Sequence, residues 1–467
     1  MHRYDAPRWY GTFSVTPEYG QAFKTRRIAE YFFGFDTIKL SGSLIQNRAD
    51  NDVLADNFGL SPQFESIVTM IPRVRTTQVH FNWWTGFRDF YFTMHAPLVS
   101  TTYGITLNEA IIQTGQETPF PAGYMAADAI PAPFTSFTNA IKGVRPFGNV
   151  TTGLLFGRID CPRTITKFSD IQVALGWNFV NREETCWGIN VRASAPTGNR
   201  STAEFLFEPM VGNGKHWEVG AGLCGKILIF EVDGYEQVAH ILLNANITTL
   251  LASCQQRSFD FCQNGFGSRY MLLKEFSNGL HNGILHPAIN KTTLPCRVSA
   301  DAQFDLMALF GYQCKGLGID LGYNLWMRTH EKITLTGRIP ERTYGIKGIQ
   351  NTIDPMTTVP DSNTQSTGNL HGNNLSPMEQ MLTADRSPLF ISNCDLDLES
   401  GASPFALTHK LFLHVNYTWN NRPTYHLEPY LGAGIATEFE GSHPRELQPD
   451  KNTMSQWSVW IKAGFAY

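Results

Sequence analysis

Apolar and polar residues alternate at every second position over long stretches of this chain, most cleanly toward its C-terminal end. In residues 455–467 one parity carries Trp457, Val459, Ile461, Ala463, Phe465 and Tyr467; the other carries Gln456, Ser458, Trp460, Lys462, Gly464 and Ala466. A repeat of two is the signature of a β-strand with unlike faces. The same alternation runs through 298–312, 317–328, 407–419 and 424–439, and further candidate strands are 9–22, 66–86, 89–105, 165–180, 185–196, 215–231 and 235–251. The count is twelve, with fourteen open should residues 37–44 pair as well.

The connections alternate in length without exception. Short ones fall near 87–88, 181–184, 232–234, 314–316 and 420–422, and long ones near 23–65, 106–164, 197–214, 252–294, 333–402 and 440–453. Outer-membrane barrels combine short periplasmic turns with long extracellular loops, whereas a soluble sandwich has no reason to segregate loop lengths. The pattern predicts an all-β fold: a transmembrane antiparallel up-and-down β-barrel formed as one domain over residues 1–467, with loops outside and both termini periplasmic. Short loop helices are expected near 134–142 and, from the capping box Ser376-Pro377-Met378-Glu379, near 377–383.

Composition agrees. Charged residues are 17% and aromatics 12%, against roughly 25% charged in an average soluble domain. Mean hydropathy is -0.20, and no run of about 18 apolar residues exists to form a membrane helix. The formal charge of -4 and the absence of Lys/Arg blocks give no footprint for nucleic acid. No apolar leader follows Met1, so a signal peptide is expected to be absent from this numbering. The eight cysteines show no metal spacing, and neither metal nor cofactor is expected; Cys254 and Cys262 lie close enough in sequence for a disulfide in an oxidising compartment.

The outward parity places aromatic rings at strand ends, where headgroups favour them: Trp177, Trp187, Tyr417, Trp419 and Tyr467 at the periplasmic side, Trp217 and Trp457 at the outer side. The inward parity carries both charge signs, giving a candidate pore lining of Asp170, Arg192, Glu218, Lys226, Asp301, Asp305, Asp320, Arg328, Lys410, Glu428 and Lys462. Such a wall either orients passing solutes or pairs into a closed network. Twelve strands enclose a lumen between the filled eight-stranded barrel and the open sixteen-stranded pore, and inward Trp326, Phe412, Tyr430 and Trp460 narrow it. The apolar stretch 120–137 marks loop 106–164 as the one expected to fold in.

The terminal segment SVWIKAGFAY, with its alternating apolar residues and final aromatic, resembles the C-terminal strand of bacterial outer-membrane proteins. That resemblance implies outer-membrane lipid and lipopolysaccharide as surroundings, and recognition of this strand by the barrel-insertion machinery. Residues 206–223 and 257–275 resemble loop-to-strand borders of an uncharacterised barrel family of intracellular bacteria, which implies no activity.

The function expected is porin-like passive diffusion of small hydrophilic solutes. The alternatives are a plugged barrel whose loops mediate lattice or host contacts, and a transporter of hydrophobic compounds, against which the lumen charges argue. Ala300, Ala302 and Ala308 are the small outward residues that a homo-oligomer contact would use. No HExxH, GxSxG, P-loop or Rossmann pattern occurs, so an enzyme is not expected. A barrel phospholipase would need a serine beside His409, and a barrel protease would draw on His216 with Glu218 or Glu438 with Glu440.

Overall fold

The computed structural model describes residues 9–46, 48–115, 134–232, 237–347, 368–372, 390–419, 427–441 and 454–467. Twelve strands close into one antiparallel ring. In chain order they are β1 (Tyr10–Phe23), β2 (Glu65–Phe87), β3 (Phe90–Gln113), β4 (Ile171–Asn181), β5 (Thr185–Ala195), β6 (Glu218–Val232), β7 (Gln237–Ser258), β8 (Thr293–Cys314), β9 (Leu317–Arg328), β10 (Ala406–Thr418), β11 (Glu428–Glu440) and β12 (Ser455–Ala466). Each pairs with its neighbours in sequence, and β1 closes the ring on β12, with Phe13 opposite Phe465 and Tyr19 opposite Val459. Tyr467 completes the seam: it exchanges backbone hydrogen bonds of 2.9 Å with Gly11, and its hydroxyl accepts from the Trp83 indole at 3.0 Å. A closed ring leaves no unpaired strand edge, which a bilayer would not tolerate.

All twelve strands read from the alternation are present. Residues 37–44 supply only Thr37–Ser41, which pairs with β2 off the ring, so the fourteen-strand alternative is not realised. A two-residue turn joins β8 to β9 through Lys315 and Gly316, at φ of 47° and 86°. Two successive left-handed residues are the signature of a type I′ hairpin, whose twist matches that of its strands.

Outward residues of the ring are apolar and bare: Leu175, Val191, Ile247, Leu321, Leu411, Ile435 and Ile461 are all exposed. A continuous belt of this kind is stable only against lipid. No helix among the described residues is long and apolar enough to cross a membrane; the crossing is made by strands.

Strand lengths divide the ring. β2, β3, β7 and β8 have 23, 24, 22 and 22 residues, while β4 and β5 have 11 each. At about 3.4 Å per residue the longer strands run roughly 40 Å further along their own direction than the shorter ones. The two tall hairpins stand on nearly opposite sides of the ring, at the end that carries the long connections. A cap built from those connections packs against both. One buried core joins Val68 and Met70 of β2 to Leu40, Phe58, Phe137, Ile141 and Val150. A second joins Cys296 and Val298 of β8 to Phe259, Phe261, Ile339 and Leu396. The segment between them serves both: Tyr270 and Leu272 enter the first core, Met271 and Leu273 the second. Period-two alternation of wholly apolar residues is what a strand buried on both faces requires.

Within the cap, the helix expected near 134–142 is the single turn Phe137–Ala140, whose N-cap Ser136 accepts from the Asn139 amide. The helix expected near 377–383, and most of 120–137, lie outside the described residues.

One strand departs from the expected parity. Register shifts lie between Thr248 and Leu250 and between Leu250 and Ser253 of β7, where it pairs with β8. A bulge puts two successive side chains on one face and inverts the alternation beyond it. Val298 and Ala300, expected outside, are therefore buried at 0% and 2% exposure. Asp301, expected in the lumen, is exposed and pairs with Lys332 at 2.5 Å. It is not a pore-lining residue, and Ala300 cannot serve an outward contact.

Candidate functional site: the lumen and its mouth

The inner face of the wall is rich in glycine for a steric reason. Tyr91, Phe412, Tyr430 and Trp460 point inward, and each sits directly opposite a glycine on the next strand: Gly176, Gly322, Gly464 and Gly434 respectively. In each pair the ring occupies the space a Cβ on that glycine would need. The rings therefore lie along the wall instead of spanning the lumen.

Polar side chains between them form short networks. His80 Nε2 donates to Glu18 at 3.1 Å, and its Nδ1 meets His95 Nε2 at 3.0 Å with the rings stacked. Asp305 accepts from Asn324 at 3.1 Å and Asn246 at 3.5 Å. Asp320 bonds His414 at 3.1 Å and accepts from Asn416 at 3.4 Å, while Trp460 stacks on the His414 ring. Cavities open between these networks. One of about 90 Å³ is lined by His95, Gln172, Arg192 and Glu218. Another, of about 250 Å³, is lined by Glu18, Thr76, Gln78, Tyr103, Lys410, Glu438 and Gln456.

The cap meets the wall of the larger cavity at Tyr103. Phe207 stacks on Tyr103 at 4.8 Å, and Phe32 of the helix Arg26–Phe33 meets Phe207 edge-on at 5.4 Å. Arg27 of that helix is ion-paired to Glu440 at the end of β11. At the mouth, Glu331 takes Arg257 at 3.2 Å and lies 3.9 Å from Arg328.

The remaining expected lining residues are distributed as follows. Arg192 and Glu218 share the smaller cavity. Lys410 lines the larger one, and Lys462 stands 5.9 Å from the Tyr430 ring centre. Lys226, opposite Cys186, and Glu428, opposite Ala466, are inward residues toward the short-turn end. Arg328 belongs to the mouth cluster. Asp170 is a loop clamp, buried and accepting from the Asn213 amide at 2.7 Å.

Sequence reading missed Glu18, His80 and His95. Their strands carry polar residues on both parities (Thr77 beside Gln78, for example), which hides the inward set. Gln456 falls on the inward parity of β12 but does not stand out there, being uncharged. Of the expected girdle, Trp177, Trp217, Tyr417, Trp419 and Trp457 are exposed, Trp187 covers Gly225 on the outer face, and Tyr467 lies in the seam.

His409, the outward histidine, bonds Tyr323 at 2.8 Å and has no serine partner among the described residues. His216 is 1% exposed, with Nδ1 on the Leu251 carbonyl at 2.7 Å and Nε2 on Gln255 at 3.0 Å. All eight cysteines are free, so Cys254 and Cys262, both exposed, are not joined. No group of three metal-ligating residues occurs among the described residues.

These features define a closed twelve-stranded antiparallel β-barrel of the membrane-spanning kind, with an apolar outer belt. No protein-family model matches the chain. No curated protein matches it either. Among solved structures it is loosely similar to an outer-membrane channel from Pseudomonas putida F1, at 9% identity and a TM-score of 0.37 over 99% of this chain and 98% of that one. It is also similar to the β domain of the Bordetella autotransporter BrkA, at 8% identity and a TM-score of 0.27 over 98% and 99%. A Pseudomonas aeruginosa FadL homologue matches at 6% identity and a TM-score of 0.29 over 98% and 90%.

Proposed function

We propose that this barrel is an outer-membrane channel for passive passage of small hydrophilic solutes, with a mixed-charge lumen and a mouth narrowed by a folded cap. The observation that carries the reading is the hydrophilic cavity inside the ring, walled by Glu18, Thr76, Gln78, Lys410 and Gln456 within an apolar shell. An inner wall of charged and amide groups is tolerable in a membrane only when hydrated or paired. In this reading the capped end faces outward, both termini are periplasmic, the C-terminal strand is what the insertion machinery engages, and lipopolysaccharide surrounds the outer rim. The protein carries no catalytic role.

Single-channel conductance of purified protein in a planar bilayer, under a salt gradient, tests it. Steady ohmic steps support a channel, and the sign of the reversal potential tells which lumen charges dominate. Silence from correctly folded protein sinks it. A second reading, a barrel serving as a platform for surface contacts, is favoured by the two buried cores of the cap; silence would turn attention there.

A further inference from the structure

Lys410 on β10 and Glu438 on β11 are direct register partners, so their side chains leave the wall side by side. Neighbours in that position have Cβ atoms about 5 Å apart and ordinarily pair when their charges are opposite. Here they do not. Glu438 turns instead to Gln456, its register partner on β12, and accepts from Nε2 at 2.7 Å. Lys410 makes no ion pair within 4.0 Å among the described residues. Both line the 250 Å³ cavity, with the Gln78 amide and the Thr76 hydroxyl also on its wall. Glu18, the other carboxylate there, is already engaged by His80 at 3.1 Å.

A cation and an anion held apart at the edge of one cavity form a dipolar receptor. A simple anion entering it would satisfy Lys410 but meet Glu438 and Glu18; a simple cation would be attracted by the carboxylates but face Lys410. A molecule carrying both signs a few bonds apart satisfies both groups at once, and specificity of this kind rests on the repulsive element as much as on the attractive one. We propose that this cavity is a binding subsite for a small zwitterion of the α-amino-acid type. Its carboxylate sits on Lys410 and its ammonium on the Glu438 oxygen that Gln456 leaves unused. Access of solute to the cavity rests on the channel reading above.

The test is isothermal titration of the folded, detergent-solubilised full chain with L-alanine, and with propionate and propylammonium as singly charged counterparts. L-alanine should bind saturably and each counterpart at least roughly tenfold more weakly, as expected when a charge-assisted hydrogen bond is lost. Lys410→Met and the near-isosteric Glu438→Gln should each weaken L-alanine by about tenfold or more; the second variant decides should the first fail to fold. Propionate binding as tightly as L-alanine, undiminished binding in Glu438→Gln, or no L-alanine binding by folded protein each overturns the proposal. Conductance recorded on the same preparation separates the two readings. Ohmic steps without L-alanine binding leave the channel and remove the subsite, whereas binding without conductance does the reverse.

Discussion

Asp260 ties together two of the connections that build the cap, and replacing it by alanine tests how the cap is held together. Its carboxylate is 2% exposed and accepts from the Gly267 amide at 3.1 Å, the Arg269 amide at 2.8 Å, and two nitrogens of the Arg269 guanidinium at 2.9 and 2.8 Å. The guanidinium in turn donates to the carbonyls of Ser258 at 3.0 Å and Ser400 at 3.1 Å, tying two long connections together. Burial works against the Arg269 charge, but the adjoining Asp260 carboxylate overrides it and holds the guanidinium above its ordinary value. Asp260→Ala strands that charge. Losing one partner of a buried pair costs about 3–5 kcal/mol, which raises the open population of the cap by roughly 10²- to 10⁴-fold. Local opening need not unfold the barrel. Amide hydrogen exchange across 259–294 should therefore accelerate by that order, while the heat-dependent gel mobility that reports barrel closure stays unchanged. The double variant Asp260→Ala/Arg269→Met, which removes the stranded charge, should recover much of the protection. Unchanged exchange in the single variant, or equal loss in the double, would refute the reasoning.

Three other outcomes are expected. Gly322→Val should push the Phe412 ring off the wall, since any Cβ there collides with it. The variant should lose about 1–3 kcal/mol to overpacking and show a lower single-channel conductance; wild-type conductance in a folded variant counts against rings lying along the wall. His281 and His286 in the cap are held below their ordinary value, chiefly by burial. The folded cap thus takes up their protons less readily than the unfolded segment. Its stability is complete above about pH 6.5 and declines as pH falls below that, by up to ~1.4 kcal/mol per pH unit for each group. Proteolysis of the cap should quicken between pH 7 and pH 5, and a double replacement of these histidines by glutamine should flatten the profile. The exposed thiols Cys161, Cys254, Cys262 and Cys394 should react with a maleimide in the folded protein, whereas Cys296, at 0% exposure, should react only after denaturation; early labelling of Cys296 would show that the second core is not closed.

The ring was legible in the sequence because lipid enforces its alternation strand by strand. Trp457, Val459 and Ile461 must be apolar wherever they sit along the strand, so their parity is unbroken. The cap was not legible, because its residues answer to a different rule. Leu272 and Leu273 are both buried, one in each core, and a strand covered on both faces has no alternation to read. Asp301 was misplaced for a related reason: a bulge inverts parity without leaving a mark in the residue types. The lumen was half legible. Lys410 stands out as a charge on the inward parity, but Glu18 gains its meaning only beside His80, which is 62 residues away in sequence.

Phe412, Tyr430 and Trp460 were expected to narrow the lumen, yet their placement over glycines argues for the opposite effect. A wide barrel needs a wall thin enough to leave space, and glycine provides it at the cost of strand stability. Setting each ring flat over the glycine across from it restores contact that the bare backbone lacks. The wall at Gly322 and Phe412, or at Gly434 and Trp460, is then one ring thick instead of two side chains deep. The space conserved lies on the same strands, β10 to β12, that hold Lys410, Glu438 and Gln456 around the larger cavity. A barrel serving only as an anchor could fill that side with leucine and gain stability. Repeated pairing of ring and glycine instead keeps the interior open beside Lys410 and Glu438, as the proposed channel requires.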